Sequence, residues 1–342
     1  MRLAFEKAVQ DKYDVDLMGQ AHWYLQSRVT QGANYDITID QSRYIALICN
    51  RFLPGQGVDN VTDAERAKYS APLPYDFVAT KEDRSEKHLD VTKLEEEFGF
   101  EYASVIGMLI YLMNTAFILH FAISKLSKFN ALPGKRHFKA VKHLLNYLRC
   151  NHLRFGITYY SDVPRSPIYQ LVKEFTKATP DAPLMLFTDS SWQDCPDSGR
   201  STGCYLLFHQ GGLIDGGSFV PQPVAMSTAE AEYNSLAQSM QAIVNNRQVV
   251  HELHGNHPDT PLCVPFFTDS ESALAMGNSI KDTKRTRHIQ RRIHYARDGI
   301  ASGAFEGHHI EGELNPADVG TKNLTGEVLS VHHEVMHTTV PP

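Results

Sequence analysis

From Leu184 onward, short alternating runs give way to helical spacing and back again. "LMLFTDSSW" alternates apolar and polar positions as a strand does. "STGCYLLFH", "QGG" and "LIDGGSFV" predict a hairpin, with Gly211 and Gly212 in its turn. Ser227 suits the N-cap of a helix running from about Thr228 to His254. "LCVPFFTDS" is a further strand ending in an acidic residue. "RTRHIQRRIHYARDGIASG" is a basic helix stopped by glycine, and "AFEGHHI" is a short strand. "NPADVGTKNL" opens a last helix, with Asn315 as its cap and Pro316 at its first position. Three strands, a helix, a strand, one or two helices, a strand and a helix predict an α/β unit. Its sheet is mixed, because hairpin strands are followed by β-α-β crossovers.

The first 165 residues are more helical. "AHWYLQSRV" and "YDITID" read as strands joined by the turn "GAN". In "QSRYIALICNRF", Tyr44, Ile45, Ile48 and Phe52 share one helical face. Residues 53–95 are polar, with scattered prolines, and predict a long connecting loop. "KRHFKAVKHLLNYLRC" predicts an amphipathic helix with Phe138, Val141, Leu144, Leu145 and Leu148 inward. The run Val105–Ile123 carries no formal charge over 19 residues, enough to span a bilayer. Asn114, Thr115 and His120 interrupt it, and the alternative is a helix or helix pair buried in a large core. Residues 166–183 predict a linker, 184–326 the α/β unit, and 327–342 a tail.

Composition adds limits. Hydrophobic residues make up 42% of the 342 and charged residues 21%, which is globular. The net charge of −6 opposes a nucleic-acid binder unless positive charge is local. The five cysteines form no C-x-x-C, so a reducing compartment is the simpler expectation, the cytoplasm first. The N-terminus lacks the apolar stretch of a signal peptide.

Four acidic residues fall where such a sheet gathers its ligands, at the carboxyl ends of strands and the starts of helices. Asp189 and Asp269 end two strands, each within "FTDS". Glu232 and Asp318 lie in the first turns of helices. Two negative charges ~4 Å apart cost about 4 kcal/mol at an effective dielectric of 20. Hard divalent cations would neutralise such a cluster, and carboxylates are the ligands that magnesium and manganese take. A pair of these ions suits phosphodiester hydrolysis. No Ser-His-Asp set, cysteine nucleophile or glycine-rich phosphate loop competes with this reading. Of the two glutamates in "MSTAEAEY", residues two apart on a helix point about 200° from each other. Only one can face the cluster.

From about Leu184 to Leu324 the chain resembles the ribonuclease H domain of copia-type LTR retrotransposon Pol polyproteins. The stretches that carry the resemblance are "TDSSWQDCPDSGRSTGCY", "PVAMSTAEAEYNSLAQ", "FFTDSESALAM", "TKRTRHIQRRIHYAR" and "NPADVGTK". Upstream, "DLMGQAHWYLQSRV", "IDQSRYIALICNRF", "YASVIGMLIYLMNTAFILHFAISKLSKF" and "RHFKAVKHLLNYLRCNHLRFGITY" look like the end of the reverse transcriptase and its connection to the nuclease. The resemblance implies a ribonuclease H-like mixed five-stranded sheet flanked by helices, preceded by a mostly helical thumb or connection region. It places the charge-free run in a soluble core, with no membrane partner. It implies an endoribonuclease that cuts the RNA strand of RNA/DNA hybrids with two Mg²⁺ ions, Mn²⁺ being a possible substitute. The family's acidic pattern falls on Asp189, Glu232, Asp269 and Asp318, as catalytic and metal-binding residues. Glu230 is left to cap its helix with Ser227.

Contacts to nucleic acid are expected from Ser190, Ser270 and Arg200, and from Lys284, Arg285, Arg287, His288 and Arg291 of the basic helix. That helix is the local positive charge hidden by the net −6. The remainder of the polyprotein, including the upstream polymerase, is the expected partner. Retroelement particles or the nucleus are alternative locations. The chain departs from the family in three ways. It has no Y-x-D-D hairpin, so polymerase activity is not expected. "NTAFILHF" lacks the family's Arg-Pro-Asp, and "GGSFVPQPVA" lacks its Trp and lysines. These departures keep open a catalytically inactive remnant. A D, D, E integrase is disfavoured by the order D, E, D, D. His308 and His309 lie near the position of a loop histidine found in other ribonucleases H, but on a strand.

Overall fold

The computed structural model describes residues 2–16, 19–173, 184–222, 224–254, 262–278 and 290–342. After helix α1 (Arg2–Lys12) comes a small antiparallel sheet of β1 (Trp23–Tyr24), β2 (Ser27–Gln31) and β3 (Ile37–Asp40). Leu25 and Gln26 take positive φ of 46° and 63°. That tight turn splits the single strand expected over "AHWYLQSRV" into a hairpin. α2 (Ser42–Phe52) buries Ile45, Ile48, Cys49 and Phe52.

The stretch expected as loop contains α3 (Asp63–Lys68), a 3-10 turn (Lys81–Asp83) and α4 (His88–Phe98). α3 buries no residue, and α4 packs only the short stripe Val91, Leu94 and Phe98 on the core. Local bonds hold α3 instead. The Glu65 amide donates to Thr62 Oγ1 at 3.2 Å, and the Thr62 amide donates to Glu65 Oε2 at 2.9 Å.

The charge-free run folds as a helix pair, α5 (Tyr102–Leu112) and α6 (His120–Ser127), with a 3-10 turn (Phe117–Leu119) between them. Among the described residues no helix is long and apolar enough to cross a membrane. α7 (Lys135–Asn151) follows, and all five of its predicted inward residues are fully buried. Each such side chain contributes roughly 1.5–3 kcal/mol, so this face dominates what holds α7 in place. β4 (Ile157–Tyr159) then pairs with β3. α8 (Pro167–Val172) occupies the start of the expected linker, and residues 174–183 lie outside the described residues.

The second sheet begins with β5 (Leu184–Ser191), β6 (Thr202–His209) and β7 (Gly212–Phe219), all antiparallel. The β6–β7 turn is Gln210–Gly211, with φ of 51° and 73°. Two positive φ values twist the turn to match the strands, which explains the glycine. The expected long helix is two, α9 (Thr228–Ala242) and α10 (Val244–Leu253), broken at Ile243. β8 (Val264–Thr268) runs parallel to β5. α11 (Glu271–Asn278), α12 (Gln290–Ala301) and β9 (Phe305–His309) follow, with β9 parallel to β8. The order β7-β6-β5-β8-β9 is the ribonuclease H-like mixed sheet.

β5 shows how the sheet is covered, because its side chains alternate between faces. Leu184 and Leu186 pack with Tyr233, Leu236 and Met240 of α9. Met185 and Phe187 pack on the other side, in a core that includes Phe117, Ile118, Leu144 and Leu329. That second core joins the upstream region to the sheet. The expected tail also belongs to it. α13 (Gly326–Met336) buries Leu329, His332, His333 and Met336, and beyond it Thr338 bridges to Gly156. The tail reading is corrected because half of α13's buried face is histidine, which gives no apolar period.

Candidate metal centre

Asp189 is the sixth residue of β5 and shares its face with Met185 and Phe187. Its neighbour Thr188 turns to α9 and lies 3.1 Å from Ser239 Oγ. β5 is the central strand, so Asp189 is 1% exposed. Asp269 directly follows β8, the parallel neighbour of β5. Glu232 comes from the first turns of α9 and is buried. One carboxylate oxygen from each of Asp189, Glu232 and Asp269 lies within 4.8 Å of the others.

Asp318, buried in a 3-10 turn (Pro316–Gly320), completes the edge. The turn forms as expected at its start. Pro316 takes the first position, and Asn315 Oδ1 accepts from the Ala317 amide at 3.2 Å. It is a 3-10 turn rather than the expected longer helix. Asn315 Nδ2 also donates to the Thr188 carbonyl at 3.0 Å, tying the turn to β5 next to Asp189. Gly320 is required there, since a Cβ would collide with Cys204 Sγ, the cross-strand partner of Asp189.

Two residues outside the expected set belong to this edge. Lys322 Nζ lies 2.8 Å from Asp318 Oδ1 and 3.6 Å from Asp189 Oδ2. Thr321 Oγ1 donates to Asp189 Oδ2. Both were present in "NPADVGTK", and Lys322 is four residues after Asp318, a spacing that pairs opposite charges. Ser190 Oγ donates to Glu232 Oε1 at 3.1 Å, so it orients that carboxylate. Ser235 Oγ donates to the Asp189 carbonyl at 2.8 Å.

The electrostatics are those of crowded, buried carboxylates. Burial, then the charges of Asp189 and Asp269, pushes Glu232 up to about 9. Burial, then Asp189, pushes Asp318 up to about 7. Burial and Asp189 also raise Asp269. Burial works against the charge of Lys322, but Asp189 and Asp318 outweigh it and raise its pKa. One lysine among four carboxylates leaves the edge short of positive charge. Three convergent carboxylates, Asp189 and Glu232 buried and Asp269 half-buried, are the hard oxygen donors a divalent cation takes, so the residues fit such an ion.

Glu230 behaves differently from Glu232. Its amide donates to Ser227 Oγ at 3.3 Å, and its Oε2 accepts from the Met226 amide at 3.0 Å. The Ser227 cap is therefore present, with the return bond one residue earlier than in a capping box.

The expected nucleic-acid contacts are less gathered. Ser270 Oγ caps α11 by accepting from the Ala273 amide at 3.1 Å. Arg200 precedes β6, and its carbonyl accepts from the Cys195 amide at 3.2 Å. Lys284, Arg285, Arg287 and His288 lie outside the described residues, and Arg291 is in the first turn of α12. His308 stacks on Phe267, with ring centroids 5.4 Å apart. His309 Nε2 bonds the Asp269 carbonyl at 3.1 Å.

Fold and edge together define a ribonuclease H-like domain with a clustered acidic site. No family model matches the chain. The chain is 27% identical over 319 residues to the retrovirus-related Pol polyprotein from transposon TNT 1-94 of Nicotiana tabacum, a match that covers 91% of this chain. It spans about a fifth of that polyprotein's length, 21%. It is also 32% identical over 144 residues to a protein of Plasmopara viticola named Secreted RxLR effector protein 161, covering 42% of this chain and 89% of that one. Retrovirus-related Pol polyproteins of plant transposons are thus similar to nearly the whole chain, as a copia-type Pol fragment would be. Among solved structures, LC11-RNase H1 in complex with an RNA/DNA hybrid is 14% identical, with a TM-score of 0.30, covering 40% of this chain and 93% of that one. At that score the strand order, not the likeness, carries the fold.

Proposed function

We propose that the chain is a metal-dependent endoribonuclease that cleaves the RNA strand of RNA/DNA hybrids. Residues 184–326 carry the nuclease, and residues 1–165 are a polymerase remnant that braces its sheet. The observation that carries this reading is the convergence of Asp189, Glu232 and Asp269 within 4.8 Å. These three, with Asp318 beside them, would hold Mg²⁺, or Mn²⁺ in its place. Bound there, the ions supply activation of water and stabilisation of the leaving oxygen.

The chain's own residues prepare that site. Ser190 fixes the Glu232 carboxylate. Thr321 donates to Asp189, and Lys322 lies against Asp318 and Asp189, so both orient those carboxylates. Asn315 locks the Asp318 turn against β5. Small hydroxyls beside the edge, Ser191 and Ser270, suit recognition of a ribose 2′-hydroxyl, the group that distinguishes RNA. The upstream polymerase segment of a full polyprotein would present the hybrid.

The test is a labelled RNA/DNA hybrid with Mg²⁺ or Mn²⁺, beside an Asp269→Asn control. Cleavage by the unmodified chain that the control loses is expected. No cleavage in either metal favours an inactive remnant. Cleavage that survives Asp269→Asn rejects the site.

A further inference from the structure

Away from the acidic edge, a cavity of about 200 Å³ opens where the ends of α3 and α7 meet α13. Arg66, Ser70, Asn151, Arg154, Ser330 and His333 line it. This wall contains two guanidiniums and no acidic residue. Arg66 Nη1 donates to the Cys150 carbonyl at 2.6 Å, and Arg154 Nη1 to Asn151 Oδ1 at 3.3 Å. Each guanidinium has five donors, so most of them remain for another acceptor. Among the described residues, neither arginine pairs with a carboxylate. The neighbouring pair, Arg149 with Glu65, uses the nearby acidic residue.

His333 supplies a second, independent observation. It is 3% exposed, and its Nε2 is buried without a hydrogen-bond partner. A buried polar atom left without a partner calls for a water, an ion or a ligand. Burial lowers its pKa, as do His337 and Arg154 after it, so the ring is neutral. The His333 side chain also lines the cavity, so its ring reports on what binds there.

We propose that this cavity is an anion site that takes a phosphate group between Arg66 and Arg154. The planar forks of two arginines suit the tetrahedral oxygens of phosphate. The hydroxyls of Ser70 and Ser330 supply the neutral donors. The phosphate can come from two sources, a free phosphate or mononucleotide, or the backbone of a polynucleotide. Neither source depends on the nuclease reading, because the cavity shares no residue with the acidic edge.

The test is an NMR titration of the full chain without divalent cations, following the His333 imidazole signal, assigned by loss in His333→Gln. Inorganic phosphate is expected to move that signal saturably. In the Arg66→Gln/Arg154→Gln double variant, phosphate binding is expected to weaken at least about tenfold, the loss expected for charged hydrogen bonds. Arg154→Lys keeps the charge but not the fork, and is expected to bind with intermediate affinity. Asp269→Asn is expected to titrate like the parent. A hybrid that moves the same signal at lower concentration than phosphate or a mononucleotide identifies the backbone as the source. The reverse order identifies the free anion. If no ligand shifts His333 saturably in the parent, or a folded double variant titrates as the parent does, the site is rejected.

Discussion

Two regions of this protein bury groups that titrate, and they solve the problem in opposite ways. At the sheet edge, burial and mutual repulsion raise Glu232 to about 9 and Asp318 to about 7. Along α13, burial lowers His332 to about 4, His333 to about 2 and His337 to about 3. The histidines shed a proton, and His333 and His337 pack as neutral rings against Phe155. The carboxylates cannot become neutral and still bind a cation. The lesson is that desolvation alone does not mark a functional site. What separates the regions is convergence of like-charged ligand atoms, which costs energy unless something arrives to relieve it.

The comparison can be broken at several points, in falling order of effect. At the edge, Glu232 has a folded pKa above its unfolded one. The folded state therefore binds the extra proton, and stability is lost as pH rises from about 4.5 to about 9. Glu232→Gln removes that loss. Without divalent cations at pH 7 it should stabilise by on the order of 3 kcal/mol, read by urea unfolding. A destabilised Gln variant would mean the carboxylates do not repel. Divalent cation added to the parent should stabilise by about 2.7 kcal/mol at a hundredfold excess over its dissociation constant. Glu232→Gln should lose most of that gain in the same urea unfolding experiments.

The histidine seam should respond with the opposite sign. Its folded pKa values lie below the unfolded value, so stability present at neutral pH is lost as pH falls below about 6.5. At pH 5, His333 should contribute up to about 2 kcal/mol of that loss, and His333→Leu should remove it. Chemical denaturation at both pH values measures the difference. The smallest effect is at the cap. Glu230→Gln should cost about 1 kcal/mol of stability.

What was legible in the sequence follows the same division. α7 was readable because Phe138, Val141, Leu144, Leu145 and Leu148 repeat at helical spacing and all are buried. The β6–β7 hairpin was readable because positive φ at Gly211 leaves a glycine in the chain. α3 was missed because it buries nothing and a capping box closes it, and α4 because its stripe of Val91, Leu94 and Phe98 is short and set among charged residues. α13 was missed because His332 and His333 do the work of apolar residues once desolvated. The acidic residues were readable from their places at strand and helix ends. Lys322 and Thr321 were not, because their importance comes from the approach of the Asp318 turn to β5, a contact between residues 132 apart.

The proposed site turns on which glutamate of "MSTAEAEY" faces the acidic edge. Cleavage of a labelled RNA/DNA hybrid in Mg²⁺ by Glu232→Gln and Glu230→Gln, side by side, decides it. Glu232→Gln is predicted to abolish cleavage, with Glu230→Gln cleaving as the parent does. Activity retained in Glu232→Gln and lost in Glu230→Gln would contradict the account.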